Sequence, residues 1–234
     1  MRFSARILIL IALLPVSSLS ATAQDTASYK FANEPLLVWQ KPLPASLTGL
    51  TIAVGASPML FEPMRRQNVL IREEVQMWRR SSFDHKPLLF DNYIQWVPLT
   101  SVMALNLFGV NSRHDGWPLL RRTVGCIIIS TAITQSLKLA VDEWRPDRGS
   151  STSFPSGHTS FAFSGAEMLR LEYGQTSPWI PAAGLFVAAV TGFMRIYNDR
   201  HWTGDVLAGA AIGIVSADLS YWLNDIIDRR IAHK

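Results

Sequence analysis

Long apolar stretches separated by short charged clusters are the feature that most limits the folds open to this chain. Residues 92–110, 123–141, 179–196 and 204–223 are mostly apolar, and residues 158–173 are compatible with a helix. Stretches of this kind approach the roughly 20 residues that a helix needs to cross a bilayer. Charged residues make up only 17% of the chain, below the roughly 25% usual in soluble domains. We therefore predict an all-α transmembrane helical bundle of about five to six membrane helices.

The first 23 residues have the layout of a secretory signal peptide. Arg2 and Arg6 precede a short apolar run, 7–16, and small residues follow as far as Ala23. Because the apolar run is short for a membrane span, we expect cleavage, with an uncleaved N-terminal anchor as the alternative. Residues 47–61 are moderately apolar but contain glycine and proline, so they are a poor candidate for a span.

The region before the apolar stretches contains one candidate helix, Arg66–Arg80. Ile71, Val75 and Trp78 recur at helical spacing, while charged residues including Arg72 surround the other side. Two interpretations stay open at this point. The helix lies at the membrane interface and contacts anionic headgroups, or it is a solvated helix packed on the core.

The segment Phe154-Pro155-Ser156-Gly157-His158 is the most informative short stretch for function. Pro155 suits the first turn of a helix, so the free N–H groups of Ser156, Gly157 and His158 would point out of that helix start. Such an end attracts anions, Gly157 allows close approach to the backbone, and His158 adds a titratable donor. The alternative is a capped helix with a surface histidine.

Two further charged clusters flank this segment. Lys138 and Arg145 are seven residues apart, about two helical turns, so they could share one helix face, and Pro146 marks the helix end. His201 and Asp205 are four residues apart, so a helical start would bring the carboxylate within reach of the imidazole. A carboxylate on one ring nitrogen fixes the tautomer and leaves the other nitrogen free to attack.

Chain topology provides an independent indication that the clusters belong together. If residues 1–23 are cleaved, residue 24 begins outside, and alternating crossings leave all three clusters on the outer face. In this topology a set of basic residues falls on the inner side, as the positive-inside tendency prefers. These residues are Arg121, Arg122, Arg170, Arg229, Arg230 and Lys234. This topology requires that residues 47–61 do not fully cross, or that the signal peptide stays as a span. It also leaves six basic residues between 62 and 90 outside.

In order and spacing, the three clusters resemble the signature of the type 2 phosphatidic acid phosphatase superfamily. The matching elements are Lys138 to Arg145-Pro146, then Pro155-Ser156-Gly157-His158, then Arg195 to His201 and Asp205. Each motif alone is weak, and the combination is strong. One departure is Met194, where the family usually has serine. The resemblance covers roughly residues 90–223 and implies a catalytic domain at 92–223, between an N-terminal periplasmic or interfacial region, 24–91, and a cytoplasmic tail, 224–234.

The resemblance also implies a role for each motif residue. His201 would attack phosphorus to form a phosphohistidine, Asp205 would orient it, and His158 would act as general acid and then base. The phosphate oxygens would be held by Lys138, Arg145, Ser156, Gly157 and Arg195. Such cations suit a phosphoryl group whose charge spreads over three oxygens. No metal and no other cofactor is expected, because the histidines and Asp205 already have roles.

The expected activity is hydrolysis of a phosphate monoester or diphosphate of an envelope lipid at the periplasmic face of the inner membrane. Lipid A and undecaprenyl diphosphate are the favoured lipids, and phosphatidylglycerophosphate and phosphatidic acid are further candidates. The alternatives are a soluble periplasmic acid phosphatase of the same superfamily, a vanadate-dependent haloperoxidase and a non-catalytic membrane scaffold. The sequence does not identify the lipid or the oligomeric state.

Other residue patterns argue against competing classes of function. The net charge is +4, but the basic residues are dispersed, which does not favour nucleic-acid binding. Cys126 is the only cysteine, so no intramolecular disulfide or cysteine-rich metal site is possible. His85, His114 and His233 have no partner pattern, and we expect them at the surface.

Overall fold

The computed structural model describes residues 62–82 and 87–232, and this part of the chain is helical. The helices are α1, Glu62–Ser82; α2, Asp91–Ile94; α3, Val97–Leu107; α4, Gly116–Ala140; α5, Gly157–Tyr173; α6, Trp179–Tyr197; and α7, Thr203–Ala232. Within the described ranges, the only β-type pairing is an isolated bridge between Glu143 and Thr152. The predicted all-α class is therefore confirmed. The predicted signal peptide and residues 47–61 lie outside the described residues.

Three of the helices have the length and apolar character of membrane spans, namely α4, α6 and α7. The other two predicted spans form shorter helices. Only 11 residues of 92–110 belong to α3, and α5 has 17 residues. Both are shorter than the roughly 20 residues that a perpendicular crossing needs, so the total number of crossings stays a prediction.

Helix α5 lies at the centre of the bundle and packs against α7, α6, α3 and α4. Its contact with α7 is very close at two glycines. A Cβ at Gly209 would lie 2.5 Å from the Ser156 carbonyl oxygen, and one at Gly213 would lie 2.4 Å from that of Ser160. Only glycine allows this approach of the two backbones. The glycines in residues 204–223 therefore allow close helix packing.

The antiparallel arrangement brings four helix ends together at one end of the bundle. Helices α4 and α6 end where α5 and α7 begin. The loops that join them contact each other: the Ser156 amide donates to the Asp205 carbonyl at 3.0 Å, and Lys138 Nζ donates to the Thr152 carbonyl at 2.8 Å. The three charged clusters therefore lie at the same end of the bundle, as predicted. That this end faces outward stays a prediction.

The opposite end of the bundle contains a network of charged and polar side chains that is buried at Arg122, Glu172 and Tyr221 and partly exposed at Asp225. Glu172 accepts a hydrogen bond from Tyr221 and lies 2.9 Å from His114 Nδ1. Arg122 is paired with Asp225 at 2.8 Å. The prediction that His114 is a surface residue is wrong, because its partner Glu172 is supplied by α5, distant in sequence. His85 and His233 lie outside the described residues.

Candidate active site

The start of α5 differs in detail from the sequence prediction. The helix begins at Gly157, and Ser156 is its N-cap, so Pro155 precedes the helix instead of occupying its first turn. The Ser156 hydroxyl is bonded to Thr159 Oγ1 at 2.8 Å, and the Ser156 amide donates to Asp205. Both polar groups of Ser156 thus have protein partners, which leaves Gly157 as the more accessible of the two predicted anion-binding residues. A Cβ at Gly157 would make an ordinary van der Waals contact with Thr134 Cγ2, at 3.7 Å, so no group crowds this residue.

His158, in the first turn of α5, has a partner that the sequence did not reveal. Its Nε2 lies 2.9 Å from Asn92 Oδ1. His158 is also close enough to Arg195, His201, Arg145 and Lys138 for their charges to act on it. The structure therefore assembles the predicted histidines and cations into one site, and it adds Asn92.

Arg195, near the end of α6, is held by a buried carboxylate. Its Nη1 donates to Asp91 Oδ2 at 2.5 Å, and the Asp91 side chain is 0% exposed. Its Nε is buried and has no hydrogen-bond partner in the described part of the chain. The edge formed by Nε and Nη2 of a guanidinium matches two oxygens of a phosphate. Asp91 thus binds Nη1 of the Arg195 guanidinium, and the edge formed by Nε and Nη2 is left for a ligand.

The segment that contributes Asp91 and Asn92 is fixed to the loop after α6. Asn198 makes two hydrogen bonds to the backbone of Leu88, from Nδ2 to the carbonyl at 2.7 Å and from the Leu88 amide to Oδ1 at 3.0 Å. Its Nδ2 is also 3.3 Å from Asp91 Oδ1. These contacts join residues that are about a hundred positions apart in sequence, and they place α2 against the candidate site.

Lys138 and Arg145 reach the site from different structural elements. Helix α4 ends at Ala140, so Arg145 lies in the following loop and does not share a helix face with Lys138, contrary to the prediction. The charges of Arg145, Arg195 and Asp205 all act on Lys138, so the four groups are neighbours. Like that of Arg195, the Nε of Arg145 is buried and has no partner among the described residues.

His201 and Asp205 form the predicted pair, but His201 precedes α7 instead of belonging to its first turn. Nδ1 of His201 lies 3.4 Å from Asp205 Oδ2, longer than an ordinary hydrogen bond. The same carboxylate oxygen accepts from Ser153 Oγ at 2.5 Å and from the Trp202 amide at 2.9 Å. These donors hold the Asp205 carboxylate beside the imidazole, and such contacts commonly tighten when a ligand binds.

Burial lowers the pKa of His201 to about 4. The neighbouring Asp205 carboxylate opposes this shift, while the positive charges of Arg195 and Lys138 reinforce it. The imidazole is therefore neutral at neutral pH. A neutral imidazole keeps a lone pair on one ring nitrogen, as a nucleophile requires.

The lowered pKa of His201 predicts a specific pH dependence of stability. Because the pKa is about 4 in the folded protein and 6.5 ordinarily, the folded state binds fewer protons than the unfolded state between these values. The contribution of neutral His201 to the free energy of unfolding is therefore fully present above about pH 6.5 and is lost as the pH falls through about 4. This contribution is on the order of 3 kcal/mol in total. Melting temperatures of the detergent-solubilised protein should fall more steeply over this range than those of His201→Gln. Parallel pH profiles of the two proteins would contradict the assigned pKa.

The sequence analysis missed four polar residues that complete the site: Asp91, Asn92, Ser153 and Asn198. Their only local signal was polarity beside an apolar stretch or a motif, which is common in any chain. Among the residues that the structure describes, no group of three or more His, Cys, Asp or Glu side chains is placed to hold a metal ion.

Fold and site together define a class of protein. The chain is a multi-pass helical membrane protein with three span-length helices, and its cationic site, beside a buried histidine–aspartate pair, suits an anionic ligand. Residues 120–227 match the family model of the PAP2 superfamily. The resemblance inferred from the motifs is thereby confirmed.

Similar proteins are found among both curated sequences and solved structures. The chain is 36% identical over 197 residues to the lipid A 1-phosphatase of Porphyromonas gingivalis, an alignment that covers 81% of this chain and 41% of that protein. It is 29% identical over 130 residues to the undecaprenyl-diphosphatase of Sulfolobus acidocaldarius, which covers 50% of this chain and 58% of that one. The chain thus spans less than two thirds of either relative.

The fold is similar to the crystal structure of a transmembrane PAP2-type phosphatidylglycerolphosphate phosphatase from Bacillus subtilis. The TM-score is 0.57 at 19% sequence identity, over 80% of this chain and 96% of that one. At this level of identity the similarity concerns the fold alone, and it agrees with the predicted transmembrane helical bundle.

Proposed function

We propose that this protein is a metal-independent membrane phosphatase that removes phosphate from a phosphate monoester or diphosphate of a lipid. One observation carries the proposal most directly. Arg145 and Arg195 each bury an Nε donor without an acceptor in the described part of the chain, close to His158 and His201. Arg121 and Arg122, at the other end of the bundle, also bury an Nε donor without a partner, but the donors of Arg145 and Arg195 lie beside the motif histidines. A bound phosphate would supply the acceptors that these two donors lack.

The first chemical step is attack by His201 on phosphorus. The neutral imidazole forms the N–P bond with its Nε2 lone pair, while the bond from phosphorus to the leaving oxygen breaks. Burial and the neighbouring cations lower the pKa of His158 to about 3 in the free protein, so His158 takes up a proton from solvent when the phosphate anion binds, and it gives this proton to that oxygen. Lys138, Arg145, Arg195 and the Gly157 amide stabilise the charge on the three equatorial oxygens. Asp205 stabilises the positive charge that develops on His201.

The second step is hydrolysis of the phosphohistidine. His158, now neutral, takes a proton from water as the water oxygen attacks phosphorus, and the N–P bond breaks. Inorganic phosphate and the two histidines in their starting forms are regenerated. The Asn92 oxygen beside His158 Nε2 marks the place near which the leaving oxygen and the water would bind, because both must lie within hydrogen-bond reach of that nitrogen.

Lipid A and undecaprenyl diphosphate are the substrates we favour, with the site at the periplasmic face of the inner membrane. The two relatives support this choice, since one is a lipid A 1-phosphatase and the other an undecaprenyl-diphosphatase. The spanning helices support a substrate that is itself in the membrane.

The test is phosphate release by purified protein in detergent, with EDTA present. Lipid A, undecaprenyl diphosphate, phosphatidylglycerophosphate and phosphatidic acid are offered in parallel, and His201→Ala is the control. Release that survives EDTA and is lost in the variant is expected, and the preferred lipid identifies the substrate. If the folded wild-type protein releases no phosphate from any of the four lipids, the proposed function is wrong.

Asp91→Asn should lower kcat/KM by about 10- to 100-fold, because the Arg195 guanidinium loses the buried charge that holds it. The measurement is steady-state phosphate release, with size-exclusion chromatography to verify folding. Asp142→Asn removes an exposed carboxylate near the same end of the bundle and is the matched control, expected within about twofold of wild type. An Asp91→Asn protein with unchanged kcat and tighter inhibition by inorganic phosphate would show instead that Asp91 competes with phosphate for Arg195.

A further inference from the structure

Helix α1 presents three polar side chains to the loop that contains His201. Asn68, Arg72 and Gln76 are spaced four residues apart, so they lie along one face of the helix. All three contact residues between Ile196 and Gly204. Helix α1 also lies outside residues 120–227, the part of the chain that matches the PAP2 family model. This face of α1 is therefore an addition to the matched domain.

Gln76 and Asn68 bind the two helix ends that border the loop. Gln76 Nε2 donates to the carbonyls of Ile196, at 3.3 Å, and Tyr197, at 3.0 Å, at the end of α6. Asn68 Oδ1 accepts from the Gly204 amide, at 3.0 Å, in the first turn of α7. Both side chains are buried and satisfy backbone groups that a helix end leaves without partners. Helix α1 thus bridges the last turn of α6 and the first turn of α7.

Arg72 contacts the middle of the same loop. Its Nε is 3.0 Å from Asp199 Oδ1, and its guanidinium carbon is 5.5 Å from the centre of the Trp202 ring. Asp199 has a φ of 58°, a left-handed conformation that is unfavourable for a residue other than glycine and must be held by its surroundings. Trp202 directly follows His201, so Arg72 restrains the residues on both sides of the histidine.

We infer that α1 is a positioning element for the site, and that Asn68, Arg72 and Gln76 hold the His201 loop in the arrangement that phosphoryl transfer requires. The inference rests on the proposed function for its effect on turnover. Nδ1 of the buried His201 ring has no hydrogen-bond partner in the described part of the chain, and its nearest carboxylate, Asp205 in α7, is 3.4 Å away. The position of the ring therefore depends on the backbone around it. A displacement of about 1 Å at a reacting group can cost about 100-fold in rate, so a restraint of this kind has a measurable effect.

The experiment compares Asn68→Ala and Arg72→Ala with two matched controls on the exposed side of the same helix, Gln67→Ala and Arg66→Ala. Amide hydrogen exchange, followed by mass spectrometry on the peptide that contains Gly204, measures the restraint without reference to activity. Phosphate release gives kcat and KM separately. Arg72→Lys serves as the conservative variant, and size-exclusion chromatography verifies that each protein is folded.

We expect exchange of the loop peptide to become at least about tenfold faster in Asn68→Ala and in Arg72→Ala, because each loses a contact that holds the loop. In Arg72→Ala, kcat should fall about 10- to 100-fold while KM changes less than about threefold. Arg72→Lys should recover part of the loss, since it keeps the charge opposite Asp199 but not the planar group over Trp202. Both control variants should match the wild type.

Wild-type exchange of the loop in both Asn68→Ala and Arg72→Ala would overturn the inference. It would also be overturned if exchange were faster but kcat were unchanged, because α1 would then hold the loop without serving the site. If wild-type protein shows no phosphatase activity, the proposed function fails, and the exchange data still decide whether α1 restrains the loop.

Discussion

Replacing His201 by alanine is expected to lower kcat for phosphate release by about 10⁴-fold or more, because the proposed nucleophile is removed. The imidazole is 2% exposed, and its pKa of about 4 keeps it neutral, as a nucleophile requires. KM should change less, since the cations that hold the phosphate are untouched. Steady-state phosphate release from the preferred lipid measures both constants.

A trapping experiment tests the same prediction by a different observable. Wild-type protein quenched during turnover should contain a phosphoprotein that is stable to base and labile to acid, as expected of an N–P bond, and His201→Ala should contain none. His233→Ala is the control of the same residue type and should behave as wild type. Activity above about 1% of wild type in His201→Ala would exclude His201 as the nucleophile.

Asp205→Asn is expected to lower kcat by about 10³- to 10⁴-fold, the scale seen when the aspartate of a serine-protease triad is changed to asparagine. The carboxylate is 1% exposed, and its Oδ2 accepts from Ser153 and Trp202 and lies beside His201 Nδ1. An amide has one oxygen and a donor in place of the second, so it neither favours the required tautomer nor stabilises the imidazolium. Steady-state kinetics across pH 5–9 measure the loss.

The matched control for Asp205→Asn is Asp147→Asn, at the same end of the bundle. Asp147 forms a partly exposed ion pair with Arg200 at 3.0 Å, and such pairs contribute little. We expect its kcat within about threefold of wild type. A loss of similar size in both variants would mean that general disruption of this end of the bundle, not the orientation of His201, explains the effect.

The existence and approximate positions of most helices were predictable because they depend on local pattern. Apolar spacing predicted a helix at 66–80, and α1 extends over Glu62–Ser82. Ile71 and Val75 are buried, which agrees with the interpretation of a helix packed on the core. The predictions for α5 and α6 were similarly close. The stretch 92–110 was less predictable, since overall apolarity does not reveal that only its centre forms the helix α3.

Some features of the candidate site were also predictable from the sequence, and others were not. The motif residues were predictable from spacing, and antiparallel helix order was sufficient to place the three clusters at one end. Details that depend on the exact end of a helix were not predictable, such as Ser156 as an N-cap with its hydroxyl already bonded, or Arg145 beyond the end of α4. A shift of a few residues in a helix end redirects a side chain, and sequence patterns do not resolve such shifts.

By itself, the sequence determined the helical class, the order of the motifs and the chemical types gathered at the site, because these follow from periodicity and chain direction. Only the tertiary structure decided which partners hold those groups. The deciding contacts are side-chain hydrogen bonds between residues separated by 66 to 127 positions in the sequence. They join Asp91 to Arg195, Asn92 to His158 and Arg72 to Asp199. No local preference selects such pairs. They form because burial removes water from charged and polar groups, which must then find partners in whichever helix packs against them.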